Sequence, residues 1–254
     1  MLYSAKMFRI LTQFRNLATI SLICLILGWS LPAQADVKID PQLEQQVLEI
    51  IRKHPEIILD SVETYQEKQQ QKLQQSRQEF INNFQANPQA IIGDSPTIGA
   101  NKSKTVLIEF SDFECPYCAE ANKTLKGLLA KYPGKFTLVY KHFPLYQIHD
   151  QALPAATAAW AAHQQGKFWE YHNTLFANQK QLGETLYLDT AKKLKLNLTK
   201  FNSDRKLANN SIGKDLLLAQ KLGLGGTPSF IITSPNFSGP VKLTDIEKIL
   251  QGKQ

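Results

Sequence analysis

The chain has 254 residues, 43 % of them hydrophobic, which is enough for one large domain or two small ones with an adequate core. Three cysteines are too few for a disulfide-stapled scaffold. The formal charge is +7, but the lysines are scattered and no arginine-rich block occurs, so nucleic-acid binding has no support.

The first 35 residues read as an export signal. Lys6, Arg9 and Arg15 precede an apolar run, "LATISLICLILGWSL", and "AQA" at 33–35 is a small-x-small cleavage site. Cleavage is expected after Ala35, and an uncleaved membrane anchor is the competing reading. Cys24 lies inside the apolar run and is assigned no role in the mature protein. Cleavage removes three basic and no acidic residues, taking the charge from +7 to +4. It leaves Cys115 and Cys118 in an exported, periplasm-like compartment, where thiol chemistry is favoured.

Residues 36–86 read as an N-terminal helical extension. Asp40 is a plausible N-cap with Pro41 at the first helical position, and Leu43, Val47, Ile50 and Ile51 recur at helical spacing. His54-Pro55 breaks the pattern, and a second, glutamine-rich helix follows. Such a helix is either solvated or pairs with a partner, so a homodimer through 36–86 is one expectation. Residues 87–104 read as a linker carrying a short strand at Ala90–Ile92.

The region 87–254 has α/β character. "KTVLIEF" at 104–110 predicts a buried strand, "CAEANKTLKGLLAKY" a helix, and "KFTLVYKHF" at 135–143 a second, parallel strand. From about 144 to 222 the pattern is helical throughout, and strand character returns in "PSFIIT". A turn at Ser234-Pro235-Asn236 and a final helix, opened by a capping box of Thr244 and Glu247, close the chain. His149, Trp160, His163 and Trp169 lie in or beside the helical block. They read either as a substrate groove or as packing and capping, with packing favoured because aromatics at helical spacing are usually core.

Cys115 and Cys118 sit in "FSDFECPYC", between strand and helix. A metal site is disfavoured, since it normally needs two such pairs or a pair plus closely spaced histidines, and His142, His149, His163 and His172 are scattered. A structural disulfide is disfavoured too, because so short a ring removes little unfolded-state entropy. A redox pair fits best. At a helix N-terminus, free N–H groups and the dipole stabilise a Cys115 thiolate, and Pro116 loses no hydrogen bond there. Cys115 is then the exposed nucleophile, and Cys118, one turn further in, the buried resolving thiol. Glu114, directly before the nucleophile, adds negative charge that works against its thiolate. Glu109 is an ionisable group on a strand otherwise apolar on both faces, so its pKa should be raised. It reads either as a structural carboxyl or as the proton acceptor for Cys118.

"VLIEFSDFECPYC", "GKFWEYHNTLF" and "LGLGGTPSF", in that order, resemble the DsbA-like thiol-disulfide oxidoreductases of the thioredoxin superfamily, from about residue 88 to 254. The resemblance implies a thioredoxin fold with a helical domain inserted before the proline loop. It implies a cis-proline at Thr227-Pro228 facing Cys115, with the adjacent backbone pairing with substrate chain. It implies catalysis by Cys115 and Cys118 without further cofactor, and it supports the proton-relay reading of Glu109. Pro116, Tyr117 and Glu114 are the residues expected to tune the pair; the best-known oxidases of the family have His where Tyr117 stands. Similar helical extensions occur in some related exported proteins. The expected function is disulfide formation in reduced or unfolded exported proteins, with reoxidation by a membrane, quinone-linked thiol oxidase. An isomerase or reductase fed by a reductant donor, with 36–86 as its dimer arm, is the first alternative. A chaperone-like peptide binder with a vestigial pair is the second.

Overall fold

The computed structural model describes residues 40–101 and 103–252. The signal segment, with Cys24, lies outside the described residues. Among those described, no helix is long and apolar enough to cross a membrane.

The chain divides into two units, the first ending at Val62 and the second beginning at Glu63. The first holds α1 (Pro41–Lys53) and the opening of α2 (Glu56–Ala86). Asp40 caps α1 by accepting from Gln42 N at 2.9 Å, and Pro41 fills a position where no N–H is lost. His54 ends it. Leu43, Val47, Ile50 and Ile51 share helical spacing yet all remain exposed.

The rest of α2, from Glu63, belongs to the second unit. Phe80 and Phe84 are the reason. Both are buried against Val106, Ile108 and Phe110, so this end of the helix is core. The strand expected at Ala90–Ile92 is instead the end of a short helix, α3 (Pro88–Ile92). Asn87 caps it by accepting from Ala90 N, Pro88 starts it, and Gly93 at φ 54° stops it. A run as short as Ala-Ile-Ile has no period that could separate strand from helix.

Five strands form one sheet in the order β1-β3-β2-β4-β5. They are β1 (Thr97–Gly99), β2 (Val106–Ser111), β3 (Thr137–His142), β4 (Ser229–Thr233) and β5 (Ser238–Val241). β2 and β3 are parallel, joined by α4 (Pro116–Lys131), and every other pairing is antiparallel. The central strands β2 and β3 are buried along their whole length, as a continuous apolar run predicts. β1 lies where a linker was expected. Gly99 is required there, because a Cβ would overlap the carbonyl of Phe136 and φ is 99°.

The insertion comprises α5 (Ala152–His163), α6 (Phe168–Ala177), a 3-10 turn (Gln179–Gln181), α7 (Glu184–Lys193) and α8 (Leu198–Lys221). The alanines of α5 are buried on several faces, which lets its backbone lie close to its neighbours. α9 (Leu243–Leu250) closes the fold without the expected capping box. Its N-cap is Lys242. Glu247 instead meets Lys131 Nζ at 2.6 Å and the Tyr132 hydroxyl at 2.8 Å, tying α9 to the end of α4.

Candidate redox site

The site sits at the end of β2, where the chain turns into α4. Asp112 organises the turn. Its carboxylate is fully buried and accepts from Glu114 N at 2.8 Å, Leu145 N at 2.9 Å and the His149 ring at 2.8 Å, while its carbonyl accepts from Cys115 N. Gln179, from the 3-10 turn of the insertion, donates to the carbonyls of Phe113 and Cys115, each at 2.8 Å. The backbone of Cys115 is therefore held from both sides.

Cys115 is the N-cap of α4 and Pro116 its first residue. The Cys115 thiol donates to the carbonyl of Thr227 at 3.3 Å, and the Thr227-Pro228 bond is cis. Its pKa is lowered to about 5. The hydrogen bond with Cys118 is the largest cause of the lowering at Cys115; burial works against it, and the Thr227 side-chain hydroxyl and the N–H groups of Cys118 and Tyr117 add to it. Burial pushes the Cys118 thiol far up, and its hydrogen bond to Cys115 pushes the same way. Both thiols are free. The two thiols therefore differ sharply in acidity, Cys115 being the one that ionises first. Cys115 is only 4 % exposed, so its thiol is recessed where an open one was expected. It packs into the same core as Phe113, Cys118 and the insertion.

Tyr117 is 73 % exposed, and only its backbone N–H serves the thiolate. The Glu114 carboxylate turns away to accept from Gln151 N at 2.6 Å, at the start of α5.

Glu109 lies on β2, in register with Tyr140 of β3 and Phe230 of β4. It is 1 % exposed, and burial lifts its pKa to about 7 against a smaller opposing pull from Ser111. No lysine holds it among the described residues, although Lys126 lines the same cavity of about 40 Å³. Glu109 Oε1, Ser111 Oγ and the Tyr140 hydroxyl are buried without hydrogen-bond partners of standard geometry. Burial raises the pKa of Glu109, Cys118 and Tyr140, and the Ser111 hydroxyl opposes the rise in all three. The Glu109 carboxyl, the Ser111 hydroxyl, the Tyr140 phenol and the Cys118 thiol thus form one buried polar cluster.

Of the four residues noted in the helical block, three serve packing. The His163 ring bonds the carbonyl of Asp94, Trp169 donates to the carbonyl of Thr97, and Trp160 packs against α8. His149 alone joins the site, through Asp112. Sequence reasoning missed Asp112, Ser111, Tyr140 and Gln179. The strand register could have paired Tyr140 with Glu109, but nothing local marks Gln179. Among the described residues, no group of three or more His, Cys, Asp or Glu side chains could hold a metal ion.

A thioredoxin-type sheet, a helical insertion and a Cys-x-x-Cys pair opposite a cis-proline define a thiol-disulfide oxidoreductase scaffold. The profile of a thioredoxin family matches residues 92–252, and the chain belongs to this family. A thioredoxin-like oxidoreductase from Silicibacter pomeroyi DSS-3 is similar at 29 % identity and TM-score 0.56, over 65 % of this chain and 95 % of that one. The thiol-disulfide exchange protein alpha-DsbA2 of Wolbachia pipientis shares the fold at 22 % identity and TM-score 0.58, over 69 % of this chain and 96 % of that one. A stretch of 148 residues, 57 % of this chain, is 36 % identical to part of the Na(+)/H(+) antiporter NhaA 3 of Salinispora tropica. That stretch is 22 % of the antiporter, so the chain spans about a fifth of the curated relatives it matches.

Proposed function

We propose that the protein is an exported oxidase that forms disulfides in reduced or unfolded exported proteins. One observation carries this reading: Cys115 caps the N-terminus of α4 beside the cis Thr227-Pro228 bond, where the Cys118 thiol and the N–H groups of Cys118 and Tyr117 lower its pKa, while burial raises that of Cys118. A low nucleophile pKa stabilises the reduced form and makes the disulfide the better oxidant. A substrate thiolate attacks Cys115 Sγ of the Cys115–Cys118 disulfide, and Cys118 leaves and takes a proton. A second substrate thiolate attacks the substrate sulfur of the mixed disulfide and expels Cys115 as thiolate. The substrate loses two electrons and the protein gains them; a membrane, quinone-linked thiol oxidase would remove them. Glu109, with a pKa near neutrality and a place in the buried cluster, supplies the Cys118 proton in this direction and accepts it in reverse. The carbonyl of Thr227 lies against Cys115, which supports pairing of substrate backbone beside Pro228.

A second reading, an isomerase or reductase that works as a homodimer, is favoured by the apolar face of α1, whose residues Leu43, Val47, Ile50 and Ile51 are exposed. Trapping the thiols in vivo separates the two. A pair found mostly as disulfide supports the oxidase, and a pair found mostly as dithiol overturns it.

A further inference from the structure

We infer that His149, fixed by Asp112 at the rim of the redox site, is a positioning residue whose positive charge supports the Cys115 thiolate, in place of a cation that Tyr117 does not supply. The inference rests on Cys115 being the reactive thiol.

Asp112 carries the argument. It is a buried carboxylate whose three side-chain partners are two backbone N–H groups and the His149 ring. Its own carbonyl accepts from Cys115 N, so nucleophile and imidazole hang from one residue. A carboxylate only accepts, so His149 donates through Nδ1, and Nε2 becomes the nitrogen that titrates. The side chain is 19 % exposed, enough to exchange protons with water.

The charged groups facing His149 are Asp112 and Glu114 from the turn and Cys115 from the start of α4. Asp150, next along the chain, is exposed. Burial works against the imidazolium, but the hydrogen bond and charge of Asp112 and the charges of Glu114 and Cys115 outweigh it and raise the pKa. Coupling between two sites is reciprocal: a thiolate that favours His149 in its charged form is favoured by it. On Cys115 the hydrogen bonds are the larger influences, so the expected effect is a few-fold.

Redox state then moves a proton. Reduction by a peptide dithiol breaks the Cys115–Cys118 bond and adds two electrons. Cys118 takes one proton, Cys115 stays a thiolate, and His149 takes up a further fraction of a proton beside it. Oxidation to the disulfide removes the thiolate and releases that fraction.

Imidazole NMR titration of the unmodified protein in both redox states tests this without any variant. His149 should titrate at higher pH in the dithiol form than in the disulfide form. Identical titration in the two states overturns the inference. Thiolate absorbance gives the reciprocal measurement. His149→Gln should lower the Cys115 thiolate fraction on its rising limb by about two- to fourfold, and His149→Lys should restore most of it. If Gln and Lys shift the thiol equally, His149 only holds the loop and the inference fails. Alkylation of Cys115 checks the underlying reading separately.

Discussion

The side-chain amide of Gln179 donates to the carbonyl of Cys115 at 2.8 Å, from a turn 64 residues further along the chain. The same nitrogen reaches the carbonyl of Phe113. The helical insertion is thereby a clamp on the redox turn as well as a cover for it. Gln179→Ala removes both bonds and should cost about 1–2 kcal/mol in urea unfolding. It should also raise the rate at which alkylating reagents reach Cys115. An unchanged midpoint and an unchanged rate together would show that the clamp is idle.

Glu109 gives a pH dependence with a definite sign. Its folded-state pKa of about 7 lies above the ordinary value of 4.5, so the folded protein holds this proton more tightly than the unfolded chain. Stability from this group is complete below the unfolded pKa and is lost as pH rises through about 7. The loss is on the order of 3 kcal/mol at full deprotonation. Glu109→Gln should flatten this fall between pH 5 and 8, while slowing resolution of the mixed disulfide in stopped-flow peptide reduction. A variant with the parent's pH profile and the parent's rates would reduce Glu109 to a packing residue.

Truncation should show two regimes. Removing residues through Val62 should leave the redox unit folded, since every described residue up to that point is exposed. Removing residues through Ala86 also deletes Phe80 and Phe84, each worth on the order of 3 kcal/mol as buried aromatics. Thermal unfolding would show a small change for the first deletion and a large one for the second. If the first also turns an oligomer into a monomer by sedimentation, the apolar face of α1 is its interface. A monomer before and after would remove the homodimer reading.

Much of this was legible in the sequence, and the failures have physical reasons. β2, β3 and β4 were visible because a buried central strand needs an unbroken run of β-branched and aromatic residues. Cys115 and Cys118 were visible because their chemistry depends on local placement at a strand–helix junction. β1 and β5 were not. "TIG" and "SGPV" are too short to show alternation, and their glycines and proline read as turn. Phe80 and Phe84 looked like sparse residues on a solvated helix because only the fold supplies the sheet they cover. Gln179, Asp112 and His149 work through contacts with no sequence period at all. The recessed Cys115 was missed for the same reason, since its cover comes from distant segments.

The central claim is the division of labour between the two thiols. Site-resolved alkylation of the reduced protein across pH tests it most directly. Cys115 should react with an apparent pKa of about 5, and Cys118 should stay unreactive through neutral pH. Cys118→Ser should then accumulate mixed disulfides with substrates, because nothing resolves them. Equal alkylation of both thiols near pH 6 would contradict the account.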